Sequence, residues 1–543
     1  MEKMEDRIRK IEKICRAGII VLVAVIAVGG VVLWQRPANQ ETSNAPTAEA
    51  DDSLAAWTDF LPEAIAYGEQ LPVTQFRTAD GALRDLSDYA GRGLILMFWG
   101  SWCPHCDEAL RHSAEFEALL RDRGDYEFVL IDKLDSERDE TIKRAECYLR
   151  ENAIPFESLY DVNLAAYRAY GVKRIPTLLV LDARGNLRYM TVDAPQSASE
   201  LQEILYYVDS GGAAPTERFL RANMIGEDGG VYTTYVDGRG SSPAGRDVLS
   251  ESQGLLMEYA ELTRNPELFA DSWKFVRERL YRDGVFAWYV TDDGKQADAN
   301  ALIDDLRIYR ALKDANELWG GYDSEIDALS EAIRDHNTAR EHLVGFYDFR
   351  QKRAGTALPL HCIDLEALRD LAEEDADFAV AAREAEDILR GGYISDDFPL
   401  YYPSYDHATG RYSTDSMNTS EALMILYHAV KAGIADQKSI DWLADRVESG
   451  TLAARYRVDG EAVSGFDYDS TAVCAIAALI GAEVGDARLY TCARNRMEKY
   501  YVTEATSLRG SFSDRADGSD IIAFDQLMPL LVYAGARDVT FGS

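Results

Sequence analysis

Histidine is scarce in this chain, with seven residues among 543. No group of histidines and cysteines has zinc-ligand spacing, so no metal is expected. Cysteine is thin as well, at positions 15, 103, 106, 147, 362, 474 and 492. That density excludes a disulfide scaffold. Only Cys103 and Cys106 have informative spacing, while Cys474 and Cys492 sit on apolar helical stretches as small buried hydrophobes. Positive charge is in deficit, 57 Lys and Arg against 93 Asp and Glu, for a net charge of −36. Nucleic acid and anionic lipid surfaces would be repelled by it. The glycine-rich patches near 229, 238 and 391 lack the strand–turn–helix setting of a phosphate loop, so no cofactor is expected either.

What is present is enough hydrophobic material, 47% of residues, to fill the cores of about three domains. Residues 17–34, AGIIVLVAVIAVGGVVLW, are unbroken by charge. As a helix they span roughly 27 Å, close to a bilayer's hydrocarbon thickness. Trp34 sits at an interfacial position, and the preceding residues 1–16 carry Lys3, Arg7, Arg9, Lys10, Lys13 and Arg16. The positive-inside rule then predicts a cytoplasmic N-terminus, a single-pass anchor in the cell membrane, a polar linker over 35–56, and everything later extracytoplasmic.

Within 57–210, GLILMFWGSWCPHCDEALRH (93–112) reads as an apolar strand, a turn bearing C-P-H-C, and a helix. That order puts Cys103 at a helix N-terminus, where N–H groups stabilise a thiolate, and Cys106 within reach to resolve a mixed disulfide. FVLIDKLD (128–135) reads as a second strand, and Ile175-Pro176 precedes a third strand and a hairpin. These motifs resemble the thioredoxin superfamily, specifically its membrane-tethered thiol–disulfide oxidoreductases. The resemblance implies an α/β domain with Cys103 as attacking thiolate, Cys106 as resolving thiol, a substrate-facing cis Pro176, and a protein thiol or disulfide as partner. One departure is Met97, which stands where thioredoxins carry a buried acid.

Residues 215–543 repeat one design, an acid near the start of an apolar helix. It recurs around Glu251, Asp305, Asp364, Asp415, Asp469 and Asp525. More polar helices are predicted between them, at 215–224, 266–282, 323–342, 376–390, 436–449 and 486–501. Apolar helices alternating with amphipathic ones predict two concentric layers, an all-α (α/α)6 toroid. Parallel inner helices would gather the acids on one face. Aromatics crowd the connecting loops, among them Trp288, Tyr289, Tyr402 and Tyr405. Rings and carboxylates in one groove suit a sugar chain.

SESQGLLM (250–257) followed by ALIDDLRIYRAL (301–312) resembles glycoside hydrolase family 8 and its exopolysaccharide-degrading relatives. The resemblance implies an inverting hydrolase of β-linked polysaccharide. Glu251 matches the proton donor. Asp305 matches the acid that holds the distorted sugar, with Asp304 its ambiguous neighbour. Asp415 matches the general base, with Asp467 and Asp469 in reserve; Asn418 stands where the family has Arg. Gln253, Trp288 and Tyr405 are expected to bind substrate. The expected function is a membrane-anchored, extracytoplasmic glycoside hydrolase fused to a thiol–disulfide oxidoreductase. The alternative is an envelope oxidoreductase whose toroid only binds glycan or a partner.

Overall fold

The computed structural model describes residues 65, 68–134, 142–192, 194–235, 246–373, 375–376, 378–502 and 506–536. The expected anchor over 17–34 lies outside the described residues. Among the described helices, none is long and apolar enough to cross a membrane.

The first domain is built on a seven-stranded sheet of order β2-β1-β5-β4-β3-β6-β7. Its strands are β1 Gln75–Arg77, β2 Leu83–Asp85, β3 Gly93–Trp99, β4 Tyr126–Asp132, β5 Glu157–Tyr160, β6 Thr177–Leu181 and β7 Leu187–Thr191. β3, GLILMFW, is buried along its whole length, as a central strand covered on both faces must be. Successive side chains alternate between two cores. Leu94, Leu96 and Phe98 pack on one side. Ile95, Met97 and Trp99 pack on the other, with Cys103 and Cys106. The covering helices are α1 Pro104–Leu110, α2 Ser113–Arg123, α3 Ile142–Glu151, α4 Ala165–Ala169 and α5 Ala198–Asp209.

The second domain has two layers of helices. The inner ones are α7 Ser250–Leu262, α9 Leu302–Trp319, α11 Leu365–Glu373, α13 Thr419–Lys431, α15 Thr471–Val484 and α17 Ala523–Ala536. Each packs on the next, and α17 packs back on α7 to close the ring. The outer helices are α6 Ala213–Asn223, α8 Pro266–Phe275, α10 Asp323–His336, α12 Phe378–Gly391, α14 Gln437–Ser449 and α16 Ala487–Glu498. The layering follows from composition. In α15, TAVCAIAALIGAEV, Thr471 through Ala478 are all buried, and α12 buries only the face carrying Phe378, Ala381, Ala382, Ala385, Ile388 and Leu389.

The two domains meet at a buried polar seam. Arg494 and Glu498 on α16 are 3% and 6% exposed. Arg494 donates to the Tyr207 hydroxyl at 2.7 Å, to the Gly211 carbonyl at 3.1 Å and to Glu498 at 3.0 Å. The hydroxyls of Tyr207 and Tyr533 both donate to Glu498. Gly212, between α5 and α6, has a φ of +108°, and a Cβ there would lie 2.6 Å from the Tyr533 ring. Only glycine lets the chain pass.

Candidate functional site

The dithiol centre forms as the local sequence dictates. Cys103 is extended (φ −89°, ψ 115°) and caps α1, with Pro104 in the first helical position. The Cys106 N–H donates to Cys103 Sγ at 3.3 Å, a contact that stabilises a thiolate. The Cys103 thiol in turn reaches the Ile175 carbonyl at 3.6 Å, and the Ile175–Pro176 bond is cis. Cys106 lies deeper, and burial followed by the neighbouring Cys103 pushes its thiol far up. The missing acid at Met97 has a counterpart one strand over. Asp132, fully buried, ends β4 opposite Trp99, and its charge acts on both Cys106 and Tyr167.

The second centre gathers at the N-terminal ends of inner helices. Glu251 is in the first turn of α7 and half-buried. Burial, then the charge of Asp304, raise it from 4.5 to about 7, against the pull of Arg307 and His361. Asp304, 5% exposed, accepts a 2.5 Å hydrogen bond from Ser250 Oγ and a 3.4 Å contact from Arg307. Arg307 can lie there because Gly254 faces it: a Cβ on Gly254 would come within 3.1 Å of its Cδ. Burial alone would lower His361, but Cys362, Glu421 and Asp304 outweigh it and hold the imidazole at about 9. Glu421, in the first turn of α13, completes the group, its charge raising both Glu251 and His361.

The other expected site residues are held by contacts of their own. Asp305, not exposed at all, turns away from Glu251, accepting from Asn300 Nδ2 at 2.6 Å and the Phe286 N–H at 3.1 Å. Adjacent helical residues point about 100° apart, so only one of the pair can face the groove. Gln253 is fully buried, its carbonyl taking the Val231 N–H at 2.8 Å and its amide donating to Gly229 O and Ser272 Oγ. It ties loops together and has no face left for a sugar. Asp415 is exposed before α13, held at 2.8 Å by Ser413 Oγ. Asp364 pairs with Arg310 at 2.9 Å, Asp469 with Arg496 and Tyr500, and Asp525 accepts the Ala472 N–H. Of the six helix-start acids, Glu251 is the one whose charge neighbours are Asp304 and Glu421.

Trp288 is partly buried beside the first turn of α7, its carbonyl accepting from Ser250 N–H at 3.1 Å and Ser250 Oγ at 3.2 Å. Its ring meets Tyr289 edge-on at 4.4 Å. Tyr405 belongs to a separate aromatic group with Tyr412 and Tyr402. Glu421, His361 and Arg307 are not among the site residues expected from the sequence. The signal for Glu421 was the same helix-start rule, applied at Thr419 where α13 begins.

A second carboxyl on α7 is also perturbed. Glu261, in the last turn, is 8% exposed, and burial followed by the charge of Asp314 pushes it up to about 10.

Residues 66–205 match the Redoxin family. The thiol-disulfide oxidoreductase ResA of Bacillus thuringiensis subsp. konkukian (strain 97-27) is 24% identical over 143 residues, 26% of this chain and 79% of its own. YdaJ of Bacillus subtilis (strain 168) is 23% identical over 341 residues, 62% of this chain and 88% of its own. A solved structure of a novel alpha-amylase from Clostridium perfringens is similar at 27% identity and a TM-score of 0.55, covering 60% of this chain and 97% of its own. The chain thus joins a thioredoxin-like Redoxin domain to a helical domain similar in fold to that Clostridium perfringens protein.

Proposed function

We propose that the helical domain hydrolyses a glycan with inversion, Glu251 serving as general acid and Glu421 as the water-activating carboxylate. The observation that carries this reading is the raised Glu251 carboxyl, near 7, beside acids on two other helices. An inverting site needs one protonated carboxyl and one ionised carboxylate, roughly 6.5–9.5 Å apart, with room for water between them. Burial and Asp304 supply the protonated one. After Glu251 gives its proton to the leaving oxygen, the positive charges of Arg307 and His361 offset the new carboxylate. Asp304 is a positioning residue, holding Arg307 and setting the Glu251 proton affinity.

The substrate is a polysaccharide. The family 8 likeness favours a β-linked chain, and the alpha-amylase among the similar structures adds α-glucans to the panel. The thioredoxin-like domain exchanges disulfides with a protein partner through Cys103 and Cys106. Both domains lie outside the cytoplasm, tethered by residues 17–34; protection of the chain from external protease in intact cells would overturn that topology. For hydrolysis, the full chain is incubated with β-glucans, chitosan, xylan and starch while new reducing ends are measured. Cleavage lost in Glu251→Gln and in Glu421→Gln supports the assignment. Activity kept in Glu421→Gln but lost in Asp415→Asn would move the base to Asp415. No cleavage of any glycan, with insulin reduction intact, would favour an oxidoreductase whose helical ring only binds.

A further inference from the structure

Away from both centres, three side chains from distant parts of the sequence converge on the second domain. His342 lies on a short strand, His342–Leu343, against which α12 packs. Glu384 projects from α12, and His407 follows the strand Ser404–Asp406. One donor atom from each lies within 4.8 Å of the others. The two imidazoles stack at 4.6 Å with planes 18° apart. Two of the chain's seven histidines thus share one spot, with a carboxylate beside them.

The hydrogen bonds leave donors available. His407 Nε2 lies 2.8 Å from the Leu343 carbonyl, which can only accept, so Nε2 carries the proton and Nδ1 keeps its lone pair. A metal-ligating histidine characteristically donates its other N–H in this way. His342 Nδ1 meets Glu384 Oε2 at 2.7 Å, a pair that shares one proton. A cation can take that proton's place, which releases the proton to solvent. All three residues keep some exposed surface, leaving access for the ion and for a water ligand. Zinc holds nitrogen and oxygen at about 2.0–2.2 Å, so its ligands sit about 3.3 Å apart. The widest pair must close by at most about 1.5 Å and the His342–Glu384 pair must open by about 0.6 Å, both within reach of side-chain rotation.

We propose that His342, Glu384 and His407 form a binding site for a divalent transition-metal ion of the zinc class, with water completing the coordination. Imidazole nitrogens select zinc, nickel or copper over the hard cations calcium and magnesium. The ion would tie together the strand, α12 and the segment bearing Tyr405, whose ring meets His407 edge-on at 5.4 Å.

The test measures zinc uptake by the full chain, in competition with a chromophoric chelator. Cys103→Ser and Cys106→Ser form the background, because the dithiol would itself take zinc. One zinc per chain is expected. His342→Ala and His407→Ala should each weaken binding by at least about 100-fold, and Glu384→Gln by about 10-fold or more. His112→Ala, in the other domain, should leave it unchanged. Because His407 also bonds Leu343, His407→Gln checks that any loss is not misfolding; it should bind as poorly as the alanine variant while keeping the parent's circular dichroism. Excess calcium or magnesium should not compete. Absence of stoichiometric zinc, or uptake unaffected in both histidine variants, would overturn the site.

Discussion

The dithiol centre and the carboxylate centre both put reactive groups at helix N-termini against a buried wall, but assemble them differently. Cys103 and Cys106 share one turn, with the Ile175–Pro176 segment and Asp132 coming from afar. Glu251, Asp304, His361 and Glu421 come from four separate stretches of the second domain. The first centre depends on local backbone geometry, the second on ring closure. A perturbation of the ring should therefore damage the carboxylate centre long before the dithiol centre.

The largest expected effect separates the two chemistries. Glu251→Gln should lower kcat for glycan cleavage by about 10³-fold, within the range for a lost general acid, and leave insulin reduction intact. Cys103→Ser should do the reverse. Loss of both activities in either variant would mean that the centres are not independent.

Next comes pH. The Glu251 proton must be present, so glycan cleavage should fall tenfold per pH unit above about 7. Removing the adjacent negative charge in Asp304→Asn should move that limb to lower pH, and Asp305→Asn should leave the limb in place. Asp305→Asn should instead cost about 1–3 kcal/mol of stability, through its bonds to Asn300 and Phe286. A chemical denaturation curve beside the pH profile checks both.

Within the first domain, Asp132 is buried where its charge acts on Cys106. Asp132→Asn should slow resolution of a mixed disulfide by about 10-fold or more, if the carboxylate accepts the Cys106 proton. Quenched-flow trapping of the intermediate measures it.

A separate effect, on stability alone, concerns Glu261. Its folded carboxyl is raised from 4.5 to about 10, so the folded chain keeps a proton that the unfolded chain releases. Stability must then fall as pH rises from about 4.5 towards 10. Glu261→Gln removes that slope, and its Tm advantage over the parent should grow with pH. A constant difference across pH would show that Glu261 is not protonated in the fold.

Legibility in the sequence followed the same division. The dithiol turn, the Ile-Pro segment and the strand order around them are contiguous signals, each set by neighbours in the chain. All twelve helices of the ring were readable too, because burial on all sides and burial on one face leave different patterns in α15 and α12. Which acids face the groove was not readable. Asp304 and Asp305 are chemically alike, and the choice between them is made by Ser250 and Asn300, reached through the fold. Asp364 caps its own helix through the Ala367 N–H, while Asp525 accepts the Ala472 N–H of the neighbouring α15. His342, Glu384 and His407 carry no spacing signal, since only the packing of α12 brings them together.

The seam at Arg494 has a practical consequence for anyone who would separate the halves. Tyr207 belongs to one domain, and the guanidinium and carboxylate it touches belong to the other. Severing the chain at Gly211 leaves that ion pair facing water on one fragment and a bare aromatic patch on the other. Neither fragment inherits a finished surface, so each would need replacement side chains there before it could stand alone.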